Sequence, residues 1–144
     1  MQSIPRPTQI LIVCDGNTCR SPMAEAIARQ LLGATAEVQS VGIDTADGLP
    51  PTKHAVAVMR ELGLDISQHR SRDIQTVDLS GFKLIIAMTP TIEQRLRVIT
   101  SGPARIAQLD IPDPYCKGVD VYRLTAKSIT LQLRHLFAVP NRDL

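Results

Sequence analysis

Tryptophan is absent from this chain, and tyrosine and phenylalanine number two each, so walls that could stack on a planar aromatic ligand are scarce. An excess of charge of one sign is missing too. Sixteen Lys+Arg stand against 14 Asp+Glu, a formal +2, which removes the broad electrostatic footprint expected of a protein that binds nucleic acid or an acidic membrane. Neither partner is expected. Apolar runs such as Ile10–Val13 and Leu84–Met88 fall far short of the ~18 residues of a membrane span, and residues 1–7 hold no apolar signal core, which predicts a cytoplasmic protein. Repeats, low-complexity tracts and linkers rich in Pro, Gly and Ser are also lacking, so residues 1–144 read as one domain, with 1–7 a short flexible N-terminal segment. No pair of His or Cys stands at a ligand spacing, so His54 and His69 read as hydrogen-bonding or surface residues, and no metal and no cofactor is expected. Arg70 and Arg72 read as a solvated loop.

What is present is a globular composition, 44% hydrophobic and 21% charged over 144 residues, long enough to bury a real core. Three cysteines cannot all pair within one chain, so each is a small buried hydrophobe or a reagent. Gln9 to Cys14 is a continuous β-branched run, which suits a central parallel strand covered on both faces. Gly16 and Asn17 break it. From Ser21 the pattern is helical: Ser21 can cap, Pro22 fits the first turn, and Met23, Ile27 and Leu31 share one side until Gly33. Glu37–Val41 predicts a second strand, and Ala55, Met59 and Leu62 a second helix stopped by Gly63. Lys83–Met88 and Arg105–Leu109 predict further strands, with Ile92, Leu96 and Ile99 marking a helix between them and Ala126, Ile129, Leu133 and Leu136 a last one. Alternating strands and helices imply an α/β fold, an open parallel sheet flanked by helices on both faces, with ligands bound beyond the carboxyl ends of the strands.

Cys14-Asp15-Gly16-Asn17-Thr18-Cys19-Arg20-Ser21 lies at such an end. Between a buried strand and a helix N-terminus, a loop of this length can curl its N–H groups onto one point, a nest that suits an oxyanion. Arg20 adds a planar fork matched to two phosphate oxygens, and Cys14 sits beneath the same point. Nest, helix end and Arg20 all favour the thiolate, so the thiol is expected to ionise easily and act as a nucleophile, with Ser21 placed to hydrogen-bond the sulfur. Gly16 and Asn17 are residue types that tolerate the positive φ such a loop needs. A lone Cys with an Arg six positions on would usually be a buried strand end and an ordinary turn. The Cys-x5-Arg-Ser spacing between strand and helix is what lifts the pair above that reading.

Displacing a phosphoryl group by a thiolate leaves an unstable anion, so the chemistry needs a general acid from elsewhere in the chain. Asp113 is the best candidate: it follows the fourth strand between Pro112 and Pro114, which stiffen the loop and hold its carboxyl group. A turn-forming Asp before Pro is the plainer reading, and Asp110 and Asp120 are less constrained alternatives.

Val13-Cys14-x5-Arg20-Ser21-Pro22, Ser40-Val41-Gly42 and Asp113-Pro114-Tyr115, in this order and spacing, resemble the low-molecular-weight protein tyrosine phosphatase family over nearly the whole chain. The resemblance implies a four-stranded parallel sheet, Cys14 as a nucleophile that becomes phosphocysteine, Arg20 as phosphate clamp, Ser21 as thiolate donor and Asp113 as acid then base. It implies that Asp15, Gly16, Asn17, Thr18, Cys19, Arg20 and Ser21 together bind the phosphate, and that Asn17, Ser40 and His69 hold the loop. Cys19 matches a second loop cysteine that, in members having it, forms a reversible disulfide with the nucleophile. Thr18 looks like the bacterial protein-arginine phosphatase branch, whose loop reads Gly-Asn-Thr-Cys-Arg-Ser. Asp15 departs from both branches; a carboxylate there repels a dianion yet could pair with a guanidinium leaving group. Val41 replaces a more usual Ala.

The expected function is therefore a phosphoprotein phosphatase, with a phosphorylated protein as partner, inorganic phosphate as product, and phosphotyrosine and phosphoarginine as rival substrates. Tyr115 is the candidate wall for an aromatic one. Arsenate reduction on the same scaffold is an alternative, but its relay of nearby cysteines is not evident, since Cys116 stands alone after Tyr115. A non-catalytic phosphate-binding module need not keep both Cys14 and Asp113.

Overall fold

A computed structural model describes residues 8–138; the segment 1–7, read above as flexible, lies outside the described residues. Four strands, β1 (Thr8–Cys14), β2 (Ala36–Gly42), β3 (Leu84–Ala87) and β4 (Arg105–Gln108), form one parallel sheet in the order β2-β1-β3-β4. Ile10 to Cys14 are buried throughout, as a strand with neighbours on both edges and helices over the faces requires. Four helices join and follow the strands: α1 (Arg20–Leu32), α2 (Lys53–Glu61), α3 (Pro90–Ile99) and α4 (Val119–Phe137). α1 packs against β2 and α4, α4 in turn against α2, while α3 lies on β3 and β4. The α/β architecture expected from the alternation is the one observed.

The chain leaves β1 toward β2 on one side and later returns to β3 on the other, so β1 is the point where strand order reverses. The crevice past its carboxyl end is where an open sheet has room for a ligand, and Cys14 is the last residue of β1.

Several element ends depart from expectation, each for a local reason. α1 begins at Arg20, with Cys19 as its cap residue and no side-chain cap bond; Ser21 is not the cap because its hydroxyl is engaged inside the loop. Caps formed by Thr52 and Thr89 went unread: each side chain accepts the N–H three residues on, from Ala55 and Ile92. Leu62 and Ile99 do not join the core. α2 ends at Glu61, Gly63 turns at φ 78°, Ile99 is the last residue of α3, and both side chains are exposed. The 3-10 turns at Gly33–Thr35, directly after α1, and at Ile74–Thr76 and Leu79–Gly81 carry no periodic apolar pattern and went unread.

Candidate active site

Cys14 ends the most buried strand, so its sulfur is held from below by the core while the chain turns over it. The turn depends on Asn17, a fully buried residue at φ 55°. Of the two residues expected to supply positive φ, only Asn17 does. Its backbone N–H donates to Cys14 Sγ at 3.2 Å, its Nδ2 to Ser21 Oγ at 2.8 Å and Ser40 Oγ at 2.9 Å, and its Oδ1 accepts the Arg72 N–H at 2.9 Å. His69 Nε2 meets the Asn17 carbonyl at 2.8 Å. Every polar atom of the Asn17 side chain is thus satisfied, which is what permits its burial.

Ser21 Oγ lies 2.8 Å from Cys14 Sγ. Because that oxygen already accepts from Asn17, its own hydrogen is free to point at the sulfur. Arg20, only 3% exposed, donates from Nη1 to the Ile111 carbonyl at 3.0 Å and from Nη2 to Asp15 Oδ2 at 3.0 Å; its Nε has no hydrogen-bond partner. A buried guanidinium N–H without a partner is costly and marks where an acceptor oxygen would be held.

The sequence predicts an easily ionised Cys14, and the structure corrects that. Burial pushes the thiol up, and although the Ser21 hydroxyl, the N–H groups of Ser21 and Asn17, and the Arg20 charge all pull the other way, burial prevails. The donors were legible in the motif; how completely the chain closes over the sulfur was not. Cys19 is also pushed up, to about 12, by burial and then by the neighbouring Cys14 and Asp113. Both cysteines are free thiols, and Cys19 donates weakly to Asp113 Oδ1 at 3.7 Å.

A cleft of about 440 Å³ opens over Cys14, and its lining includes Asp15, Thr18, Arg20, Asp44, Asp113 and Tyr115. Asp113 is held there by the Tyr115 N–H at 3.0 Å, with Oδ2 3.7 Å from Arg20 Nη2. The alternatives lie elsewhere: Asp120 pairs with Arg123 on α4, and the Asp110 backbone is bound to Gln132. Tyr115, 61% exposed, stands at the rim as the one aromatic in this lining. A second groove of about 450 Å³, lined by Ile74, Val77, Leu79 and Val98 among others, holds no nucleophile. Arg70 bonds only to the nearby Ser67 and His69 carbonyls, and the Arg72 side chain reaches Gln39, so neither guanidinium enters the cleft.

Sequence reading missed the segment after β2. Gly42 approaches the loop so closely that a Cβ would stand 2.7 Å from the Asp15 carbonyl and 2.6 Å from Thr45 Cγ2. Beyond it, the Ile43 and Asp44 N–H groups bond to the Cys14 and Asp15 carbonyls, Thr45 Oγ1 to the Gly16 carbonyl at 2.7 Å, and the Thr52 N–H to the Thr18 carbonyl. Only backbone proximity announces such a clasp; the Gly42 of Ser40-Val41-Gly42 was its one visible trace.

Comparison with known proteins agrees with this geometry. The family model described as low molecular weight phosphotyrosine protein phosphatase matches residues 9–144. A probable low molecular weight protein-tyrosine-phosphatase of Ralstonia nicotianae is 37% identical over 122 residues, covering 78% of this chain and 82% of its own. A protein-arginine-phosphatase of Geobacillus stearothermophilus is 35% identical over 129 residues, covering 81% and 85%. The crystal structure of a low molecular weight protein tyrosine phosphatase from T. tengcongensis superposes with a TM-score of 0.83 at 33% identity, over 91% of this chain and 98% of that one. An arsenate reductase of Bacillus subtilis is similar over a shorter stretch, 43% identical across 79 residues and 55% of each chain. A match that runs from β1 through α4 and takes in both the cysteine loop and Asp113 places this chain in the low molecular weight protein-tyrosine-phosphatase family.

Proposed function

We propose that this chain is a cytoplasmic phosphoprotein phosphatase in which Cys14 takes the phosphoryl group, Arg20 and the loop hold it, and Asp113 moves protons. The observation that carries the reading is the unpartnered Arg20 Nε beside a sulfur that receives the Asn17 N–H and shares a hydrogen bond with Ser21 Oγ. As a phosphoryl dianion enters, the proton of the buried thiol passes to a phosphoryl oxygen, and the S–P bond forms while the bond to the leaving group breaks. Asp113 gives its proton to that leaving group. Water then attacks the phosphocysteine and Asp113 takes its proton; inorganic phosphate departs after returning a proton to the sulfur, so the cycle closes. Asn17, Ser40 and His69 keep the loop in the shape that aims donors at the sulfur. Among the described residues no helix is long and apolar enough to cross a membrane.

Between the two rival substrates, phosphoarginine is favoured, because three carboxylates, Asp15, Asp44 and Asp113, line the mouth of the cleft. A guanidine leaves as a cation and is stabilised there; a neutral phenol gains nothing from them. Tyr115 at the rim is the observation on the side of phosphotyrosine. The test is side-by-side hydrolysis of phosphoarginine and phosphotyrosine peptides by the unmodified protein and by Cys14→Ser. The expected result is a higher kcat/KM for phosphoarginine and no turnover by the variant, whose hydroxyl is a far poorer attacker. Turnover by Cys14→Ser would remove the nucleophile, and a preference for phosphotyrosine would reverse the substrate order.

A further inference from the structure

Arg20 has one nitrogen that anchors and two that could grip. Nη1 is tied to the Ile111 carbonyl at 3.0 Å, Nε faces no acceptor, and Nη2 is already taken by a side chain of the same loop, Asp15 Oδ2, at 3.0 Å. Nη2 carries two hydrogens, and a phosphoryl oxygen that takes the one held by Asp15 must displace this carboxylate. The arrangement lets the side chain go without moving the backbone. The Asp15 carbonyl is pinned by the Asp44 N–H at 3.0 Å and crowded by Gly42, whereas its side chain is 54% exposed and can turn into solvent about its own χ angles.

We propose that Asp15 is a built-in anionic competitor for the phosphate site: it occupies the outer nitrogen of Arg20 and yields it only to a phosphoryl group that binds well enough to displace it. The proposal rests on the phosphate-site reading above and adds a cost to it. Inorganic phosphate meets the full cost, because the displaced carboxylate stays beside it as a like charge. A substrate with a cationic leaving group recovers part of it, because Asp15 is then at the rim, near the departing positive charge. Asp15 is on this account a positioning and specificity residue; it does not touch phosphorus.

The test is calorimetric binding of inorganic phosphate to the unmodified protein, Asp15→Asn and Asp15→Ala, with acetate as a small competing carboxylate. Losing one charge-assisted contact at a half-exposed position should tighten phosphate by about tenfold in Asp15→Ala and by less in Asp15→Asn, which keeps an acceptor of the same shape. Acetate should compete with phosphate in Asp15→Ala much more effectively than in the unmodified protein, because Nη2 there keeps only the longer 3.7 Å approach of Asp113 Oδ2. A merely structural role predicts the opposite sign, weaker phosphate binding in both variants. Should Asp15→Ala fail to fold, the isosteric Asp15→Asn carries the test. Equal or weaker phosphate binding in the variants would overturn the competitor role and leave the phosphate site standing; no binding by any of the three proteins would overturn the site and this role together.

Discussion

Asn17 Nδ2 gives one hydrogen to Ser21 Oγ and the other to Ser40 Oγ, and this orients the next bond as well. With one lone pair of its oxygen taken by Asn17, the Ser21 hydroxyl keeps its hydrogen for Cys14 Sγ once the sulfur is a thiolate, which can only accept, so a side-chain amide that never meets the sulfur helps orient the group that does. Ser21→Ala removes a contribution that lowers the thiol's pKa and leaves burial less opposed. The pKa therefore rises further, and at any fixed pH below it the thiolate fraction falls. Iodoacetamide labelling of Cys14 should shift to higher pH than in the unmodified protein, and kcat should drop roughly 10²-fold, the scale of losing one preorganised donor to developing charge. An unshifted labelling profile would mean that the hydroxyl does not donate. At this scale the sequence was partly legible. Cys14, Arg20, Ser21 and Asp113 could be named because chemistry restricts residue type. From the residues alone Asn17 reads only as a turn residue, and its part in holding the loop came from the family resemblance, because the backbone N–H that fixes its Oδ1 belongs to Arg72, far along the chain.

Among the elements, the run from β2 into the following loop determines where the cysteine loop can sit. Gly42 is the last residue of β2, paired with Cys14, and beyond it Ile43, Asp44 and Thr45 bond to the carbonyls of Cys14, Asp15 and Gly16. Gly42→Ala would force a Cβ against the Asp15 carbonyl and Thr45. The expected cost is about 1–3 kcal/mol, since backbone on one side cannot give way. The denaturant midpoint should fall, and phosphate binding should weaken with it; a variant with wild-type midpoint and affinity would show that the clasp is loose. The strands and helices themselves were readable from periodicity, because each buries a continuous apolar face, such as Met23 and Ile27 on α1 or Ile92 and Leu96 on α3. Their ends were less so. Leu62 and Ile99 continue the apolar spacing yet stay exposed, and the 3-10 turns are held by local bonds such as the Asp73 side chain accepting from Gln75 N–H.

For the whole molecule, the site is a long-range construction: the sulfur comes from β1, Ser40 from β2, His69 from the loop after α2, and Asp113 from the loop after β4. A ligand that bridges the cysteine loop and Arg20 binds only the folded chain, so phosphate should raise thermal stability. At a hundred times its Kd the gain is about 2.7 kcal/mol, read as a rise in Tm that grows with the logarithm of phosphate concentration. The same rise should occur in Cys14→Ser, which keeps the nest, and should be lost in Arg20→Ala. A Tm that ignores phosphate in the unmodified protein would count against the site. Charge balance and the absence of a long apolar run were plain in the sequence. Strand order was not, because periodicity reports which face of a strand is covered and says nothing about its neighbours.

That order has a consequence for how the chain is made. β1 emerges from the ribosome well before β3, yet it finishes in the middle of the sheet with β3 on one edge. At ~5–20 residues per second, a strand with five buried residues, Ile10 to Cys14, spends several seconds with that edge open and Cys14 uncovered. An open apolar edge is a template for pairing with other chains. Synthesis that outruns chaperone supply should therefore drive the nascent protein into aggregates joined through β1, while slower synthesis at low temperature should favour the soluble, closed sheet.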